Sequence, residues 1–353
     1  MKRSVAIVGF GIGRMHLEGF RALPDLWDVR AVVDLDPARR EQAAREFGVP
    51  ETPDDIAAVL GRSDIDVIDI CTPPATHLPL AEAALAAGHH VICEKPLVGS
   101  LADCDRLGEA AKAARGVLMP VFQYRWGNGI RRLKQLVERG VTGRLYLATI
   151  ETAWRRGADY YSVPWRGRFA TELGGCLTTH AIHAHDMLRW VAGDIANVFA
   201  RTATRVNPIE VEDCAALSLA MAGGGLATSA ATLGSTPEIS RLRFCFEHVT
   251  AESSLSPYAP GNEPWSFTPA TDAAGARIAE ALADFAPMPE RFAGQFAAFH
   301  ASLATGAAPP VTWADARASL ELLTAAYHSA SRGEAVALPI GAGHPAYAGW
   351  PRG

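Results

Sequence analysis

Short β-branched apolar runs at 5–8, 29–34, 67–71, 90–93 and 117–122 alternate, over the first third of the chain, with helix-period stretches at 13–23, 38–47, 53–60, 79–87 and 101–114. Continuous apolar strands separated by helices predict a parallel sheet with right-handed crossovers, because helices covering both faces leave such strands no polar side. Near Gly127 the pattern changes. A helix over 130–139 ends at Gly140, and longer alternating strands follow at 144–154, 198–206, 215–220, 226–233 and 239–247, interrupted by one helix over 176–191. Strands without helices between them predict an antiparallel sheet. Two late helices, 292–303 and 313–331, flank Gly306-Ala307-Ala308-Pro309-Pro310, and 335–340 reads as a closing strand. Enrichment in Pro, Gly and Ser predicts a surface loop over 253–269. The chain reads as an α/β protein of two domains, 1–124 and 125–353.

Composition narrows the function classes. At 353 residues the chain is too long for one ordinary core. A net charge of −5, with its basic residues scattered, gives no electrostatic footprint for nucleic acid. No apolar run approaches the roughly 20 residues that cross a bilayer, and the run after Met1-Lys2-Arg3 breaks at Gly9, too soon for a signal peptide. The six cysteines show no CxxC spacing and read as reduced and buried, so the expected compartment is the cytoplasm.

Three constellations carry chemistry. Gly9-Phe10-Gly11-Ile12-Gly13-Arg14-Met15-His16 directly follows the first strand and opens a helix. Glycines there permit a tight turn and let backbone N–H groups approach a pyrophosphate at a helix amino terminus. Arg14 stands where a third glycine is usual, with Gly13 one position earlier. Asp34 ends the second strand, where a carboxylate accepts both hydroxyls of an adenosine ribose and repels a 2′-phosphate, favouring NAD over NADP; Arg39 and Arg40 keep NADP as the lesser alternative. The other reading of Asp34 is a cap for the helix beginning near Pro37. Thr72-Pro73-Pro74-Ala75-Thr76-His77 turns off the end of the third strand, where the bland role of Thr72 and His77 is helix capping. Glu94-Lys95-Pro96 ends the fourth strand, where an open α/β sheet binds ligand, which makes Lys95 a candidate catalytic group.

These motifs, in this order and spacing, closely resemble the Gfo/Idh/MocA family of NAD(P)-dependent oxidoreductases. The resemblance extends to Gln123-Tyr124-Arg125, to Gly174-Gly175 followed by His183-Ala184-His185-Asp186, and to the tail from Tyr327 to Pro339, so it covers nearly the whole chain. It implies an N-terminal Rossmann domain and a C-terminal α/β domain with an open, mostly antiparallel sheet, the substrate lying between them over the nicotinamide. It implies that Lys95 bonds the reacting hydroxyl, that Glu94 touches the nicotinamide ribose, and that His183 is the histidine of the family's DxxxH pattern. It adds Thr72, Pro73, His77 and Gln123 to the cofactor set of Gly9, Phe10, Gly11, Ile12, Gly13, Arg14, Asp34, Glu94 and Lys95. The sequence departs from the pattern at Thr179, where the family has aspartate, and at Ala181, where it has glycine.

Oxidising a secondary alcohol needs a group that takes the hydroxyl proton as hydride leaves, and an imidazole or a lysine of lowered pKa can do so. On a regular helix, positions 179, 183 and 186 share a face, which predicts Thr179, His183 and Asp186 together in one cleft, with Thr179 and Asp186 orienting substrate. A rival reading is a metal site, because His180, His183, His185 and Asp186 crowd seven residues; one helical face collects too few of them, and a core or capping role suits His180 and His185 better. Tyr161, Trp165 and Arg166 lie in an aromatic, arginine-rich loop suited to sugar faces and hydroxyls, or to packing at a subunit interface. The expected activity is NAD-dependent oxidation of a sugar, inositol or related polyol. The alternatives are a keto-sugar reductase, nucleotide-linked or not, and a sugar- or nucleotide-sensing protein without catalysis. Apolar residues on both parities of strands such as Leu217, Ser218, Leu219 and Ala220 predict a homodimer or homotetramer formed through the second sheet.

Overall fold

The computed structural model describes residues 1–350, which form two compact units. The first contains β1 (Arg3–Val8), α1 (Gly13–Arg21), β2 (Trp27–Val33), α2 (Pro37–Arg45), α3 (Ala57–Leu60), β3 (Val67–Ile70), α4 (His77–Ala86), β4 (His90–Cys93), α5 (Leu101–Ala113) and β5 (Leu118–Pro120). Its sheet order is β2-β1-β3-β4-β5, with every pair parallel. The chain steps to β2 on one side of β1 and to β3 on the other, which opens a crevice at the carboxyl ends of these two strands. Val5, Ile7, Val67, Ile68, Val91 and Ile92 are buried, as strands covered on both faces require. Asp69 on β3 and His16 on α1 are polar exceptions with no exposed surface.

The second unit begins at Tyr124. It carries α6 (Asn128–Glu138), β6 (Leu145–Arg155), the short helices α7 (Ala158–Tyr161) and α8 (Phe169–Glu172), and a π-helical turn (Leu177–Ala181) running into α9 (Ile182–Ala192). Then follow β7 (Ile195–Ala203), β8 (Cys214–Met221), β9 (Leu226–Thr232), β10 (Gly234–Phe246), β11 (Val249–Ser253), β12 (Trp265–Pro269) and α10 (Asp272–Leu282). After α11 (Arg291–Thr305) and α12 (Trp313–Arg332), β13 (Val336–Ala337) completes the sheet β12-β11-β10-β6-β9-β8-β7-β13. Every pair in it is antiparallel except β6 with β9. Leu217, Leu219, Ala227 and Ala231 point into the core, whereas Ala216, Ser218, Leu226, Thr228 and Ala230 face outward.

Four expectations need correction. The stretch 253–269 is a loop only in its first part, since Trp265–Pro269 pairs with β11 and Trp265 is buried over Gly129, where any Cβ would strike the indole. The helix 176–191 is not α-helical throughout, because its first turn is π. Cys214 and Cys245 are half-buried rather than buried. The domains are not two contiguous halves, for residues Arg291–Arg317 pack with the first unit. Phe296 of α11 stacks on Phe20 of α1 at 4.0 Å, Gln295 brackets the end of β5 through Pro120 O and Phe122 N, and the Trp313 indole donates to Cys104 O at 2.7 Å. Two phenylalanines at helical spacing fill the gap that Gly19 leaves, and nothing local in sequence announces where such a helix docks. No helix among the described residues is long and apolar enough to cross a membrane.

Candidate active site

At the end of β1, Gly9 has φ 95° and lies so near β3 that a Cβ would sit 2.8 Å from the Cys71 carbonyl. Gly11 is exposed, with only an Arg39 nitrogen, 3.7 Å away, beside the place of a Cβ. Gly13 is buried and a Cβ there would lie 2.8 Å from Ile7 Cγ2, so it fills the helix-packing role of the displaced third glycine. Helix α1 has no side-chain cap and no acid in its first turn, which leaves its amino-terminal dipole for an anion. Ile12 and Arg14 are exposed beside this end. The Phe10 ring instead turns inward against Phe47, and its N–H is taken by Asp34 Oδ2 at 2.7 Å. Asp34 also accepts from Asp36 N–H at 2.9 Å, while the helix cap that was its alternative reading is made by Asp36, which accepts from Ala38 N–H. Arg40 donates to Asp34 O, and the Arg39 guanidinium lies 3.5 Å from Asp34 Oδ2.

Thr72 and Pro73 turn off β3, with the Thr76 hydroxyl 2.7 Å from Thr72 Oγ1. His77 does not present its ring to a cofactor: it is fully buried, with Nδ1 2.9 Å from Pro96 O and Nε2 2.9 Å from Thr72 O, and burial lowers its pKa. It ties the loop after β3 to the loop after β4. Gln123, just past β5, has a buried Oε1 without a hydrogen-bond partner among the described residues. Glycines that admit backbone approach, an uncapped helix start, a carboxylate after β2 and an orphaned amide oxygen after β5 together fit a dinucleotide.

Glu94 is nearly enclosed and its carboxylate has structural partners: Oε2 accepts the Lys95 backbone N–H at 3.0 Å and Oε1 lies 3.1 Å from His16 Nε2. The other ring nitrogen, Nδ1, is 2.9 Å from Asp69 Oδ2. Burial alone would lower the pKa of His16, but Asp69 and Glu94 outweigh it and raise it to about 9. His16 belongs to a quoted motif, yet its role needs Asp69, a single acid hidden in an apolar strand. His16, Asp69 and Cys71 are also the group near enough to share a metal among the described residues, but these atoms are already hydrogen-bonded to one another.

In the second unit, His183 is buried and its ring stacks on Tyr124 at 4.4 Å. Asp186 does not face a substrate cleft: it is 1% exposed and pairs with Arg125 through two bonds, Nε–Oδ2 at 2.8 Å and Nη2–Oδ1 at 2.6 Å. Thr179 Oγ1 lies 2.7 Å from His180 Nδ1 and donates to Gly175 O at 2.8 Å. His185 turns into the core, with Nε2 2.8 Å from Ser229 Oγ, and burial lowers its pKa to about 4. The start of this helical segment is held by Glu212, which the sequence reading missed. Its carboxylate accepts from Gly175 N–H, Leu177 N–H and Tyr327 OH, and burial, opposed by these bonds, raises its pKa to about 7. Arg166 is held inside its own loop, 3.8 Å over Tyr160, 4.2 Å over Trp165 and paired with Glu172. Tyr161 meets Tyr160 edge-on at 5.0 Å.

Four buried groups set a pH dependence of stability. His16, raised from 6.5 to about 9, contributes fully below 6.5 and loses its contribution as pH rises through 9. Glu212, raised from 4.5 to about 7, acts with the same sign, losing its contribution as pH rises from 4.5 through 7. His185, lowered from 6.5 to about 4, acts with the opposite sign below 6.5 and cancels Glu212 there. His77, also lowered from 6.5 by burial, adds to His185, so the expected Tm profile rises toward pH 6.5 and falls from 6.5 to 9, with a shallower fall in His16→Gln. A Tm that rises across the upper window contradicts this assignment.

Comparison with known proteins agrees with this geometry. Residues 3–122 match the family profile described as oxidoreductase family, NAD-binding Rossmann fold, and residues 130–252 match the GFO/IDH/MocA C-terminal domain. Levoglucosan dehydrogenase from Pseudarthrobacter phenanthrenivorans is 30% identical over 233 residues, 63% of this chain and 59% of that protein. Myo-inositol 2-dehydrogenase from Thermotoga maritima is 30% identical over 202 residues, 56% and 57% of the two chains. The match thus spans a little over half of these relatives' length. The solved WlbA dehydrogenase from Bordetella pertussis, in complex with NADH and UDP-GlcNAcA, aligns with TM-score 0.83 and 25% identity over 97% of this chain and 100% of that one. With both domain profiles matched in order and the dinucleotide edge in place, the chain belongs to the Gfo/Idh/MocA oxidoreductase family.

Proposed function

We propose that the chain is an NAD-dependent dehydrogenase that oxidises a secondary hydroxyl of a sugar, an inositol or a related polyol. The observation that carries the reading is the carboxyl edge of the parallel sheet, where the glycine turn, Asp34, Thr72, Lys95 and Gln123 follow successive strands. A bound nicotinamide supplies the hydride acceptor. Lys95 steadies the developing alkoxide and His183 takes its proton, the two tasks that alcohol oxidation sets. Both residues being present speaks against a non-catalytic sensor. A nucleotide-linked keto-sugar reductase is the second reading, favoured by two exposed arginines, Arg155 at the end of β6 and Arg168 beyond it, and by the likeness to a protein solved with UDP-GlcNAcA.

The outward face of the second sheet, with Leu147, Leu226, Thr228 and Ala230 exposed, supports a homodimer or homotetramer joined through it. Sedimentation is expected to give such an oligomer at micromolar concentration, and a stable monomer would contradict it.

The deciding assay offers NAD or NADP with levoglucosan, myo-inositol and free aldoses, and in reverse NADH with keto-sugars and UDP-linked keto-sugars, followed by the absorbance of reduced cofactor. Polyol-dependent NAD reduction is the expected result; turnover of UDP-linked sugars alone would transfer the reading to the alternative. Lys95→Met is expected to leave NAD affinity within a few-fold and to lower kcat by roughly two to four powers of ten. Retention of more than about a tenth of wild-type turnover removes Lys95 from the chemistry.

Asp34 selects the cofactor in this proposal. Its charge-assisted bonds to the ribose are worth roughly 1.5–3 kcal/mol, and Arg39 is already beside it. Asp34→Ser should therefore weaken NAD binding and narrow the gap to NADP. Titration of both cofactors into both proteins checks this, and a wild type that prefers NADP sinks the idea.

A further inference from the structure

We infer that His16 is a positioning residue for Lys95, acting through Glu94. The inference rests on the functional reading above for the role of Lys95, but its structural basis is independent of it. His16 stands on α1, and its two ring nitrogens face two carboxylates, Asp69 on β3 and Glu94 at the end of β4, at 2.9 and 3.1 Å. A neutral imidazole carries one N–H and can satisfy only one of two ionised acceptors. The doubly protonated ring satisfies both, and it lies in a site where a lone carboxylate would be severely penalised. The other groups around the ring are the Cys71 thiol, 3.3 Å from Nδ1, and the rings of Phe292 and Phe296 at 4.4 and 5.3 Å between centroids. These supply no competing charge and exclude water.

Glu94 passes the constraint on. With Oε1 drawn to His16, its other oxygen accepts the backbone N–H of Lys95 at 3.0 Å. The lysine's main chain is fixed from this side by the bond and from the other by the turn whose Pro96 carbonyl faces His77. Without the imidazolium, Glu94 would stand beside Asp69 with no cation between them, and repulsion would drive its carboxylate out of the rotamer that receives the Lys95 N–H. His16 does not touch the reacting atoms in this account. It sets the angle from which Lys95 starts.

The test uses the full chain with NAD and levoglucosan or myo-inositol, whichever turns over. His16→Gln and Glu94→Gln are each expected to lower kcat by about tenfold or more, and the double variant to fall no more than about threefold below the worse single variant, since both act through one path. Losses that multiply in the double variant overturn the inference, as does His16→Gln turnover within about threefold of wild type. Two measurements do not depend on activity, and the first needs no variant. Nitrogen-15 NMR of the wild-type ring should find both His16 nitrogens protonated near neutral pH, and one bare nitrogen there overturns the inference. Amide exchange at Lys95 should be about tenfold faster in His16→Gln than in wild type, relative to Val91 and Ile92 of the same strand, and unchanged exchange overturns it. If the wild type oxidises neither polyol, the functional reading is what has failed, and the NMR and exchange results still decide the role of His16.

Discussion

The close approach of the first turn to the third strand is the constraint on which the rest of the dinucleotide edge depends. Gly9 at φ 95° brings its backbone to the Cys71 carbonyl, and Gly13 lets α1 lie against Ile7 of β1. Any side chain at either position would push α1 away from the sheet. The same closeness brings His16, one turn further along, onto Asp69 and Glu94. The glycines of the turn are thus also what lets an imidazole be enclosed against two carboxylates.

In the second unit the helix carrying His183 is held by polar contacts as well as by packing. Arg125 and Asp186 form a buried bidentate pair, Tyr124 supplies the surface on which the His183 ring stacks, and Glu212 satisfies backbone donors where the helical segment begins. Buried ion pairs of this kind are weak sources of net stability, because desolvation offsets the attraction. Their effect is on geometry: removing one partner leaves an uncompensated charge, so the helix has few alternative positions.

How much of this was legible in sequence depended on distance along the chain. The parallel strands and the glycine turn were readable because apolar runs and turn residues are local signals, and the mostly antiparallel second sheet followed from alternation. Asp34 was singled out from its place after a strand, and the alternative reading as a helix cap failed because Asp36 makes that cap. Glu212 and Asp69 gave no signal, since a single acid in an apolar strand or turn looks the same whether it is a surface residue or a buried anchor. The return of α11 to the first unit was hidden for the same reason. Its partners lie far back in the chain at Phe20, Pro120 and Phe122.

Thr179 lies in the π turn that leads into the helix carrying His183. On an α-helix, residues 179 and 183 stand four apart on one face, which made Thr179 the natural neighbour of His183. Spacing four overshoots one α revolution by about 40° and falls short of one π revolution by a similar angle, so the π turn that runs into α9 leaves residues 179 and 183 on one face. The Thr179 hydroxyl meets Gly175 O and His180. The single proton of Thr179 Oγ1 goes to the carbonyl, so the oxygen must receive an N–H from His180 Nδ1, which fixes the tautomer of that ring. A carboxylate has no proton to give Gly175 O and would face it as a second acceptor. Threonine at 179 is therefore consistent with the backbone that surrounds it.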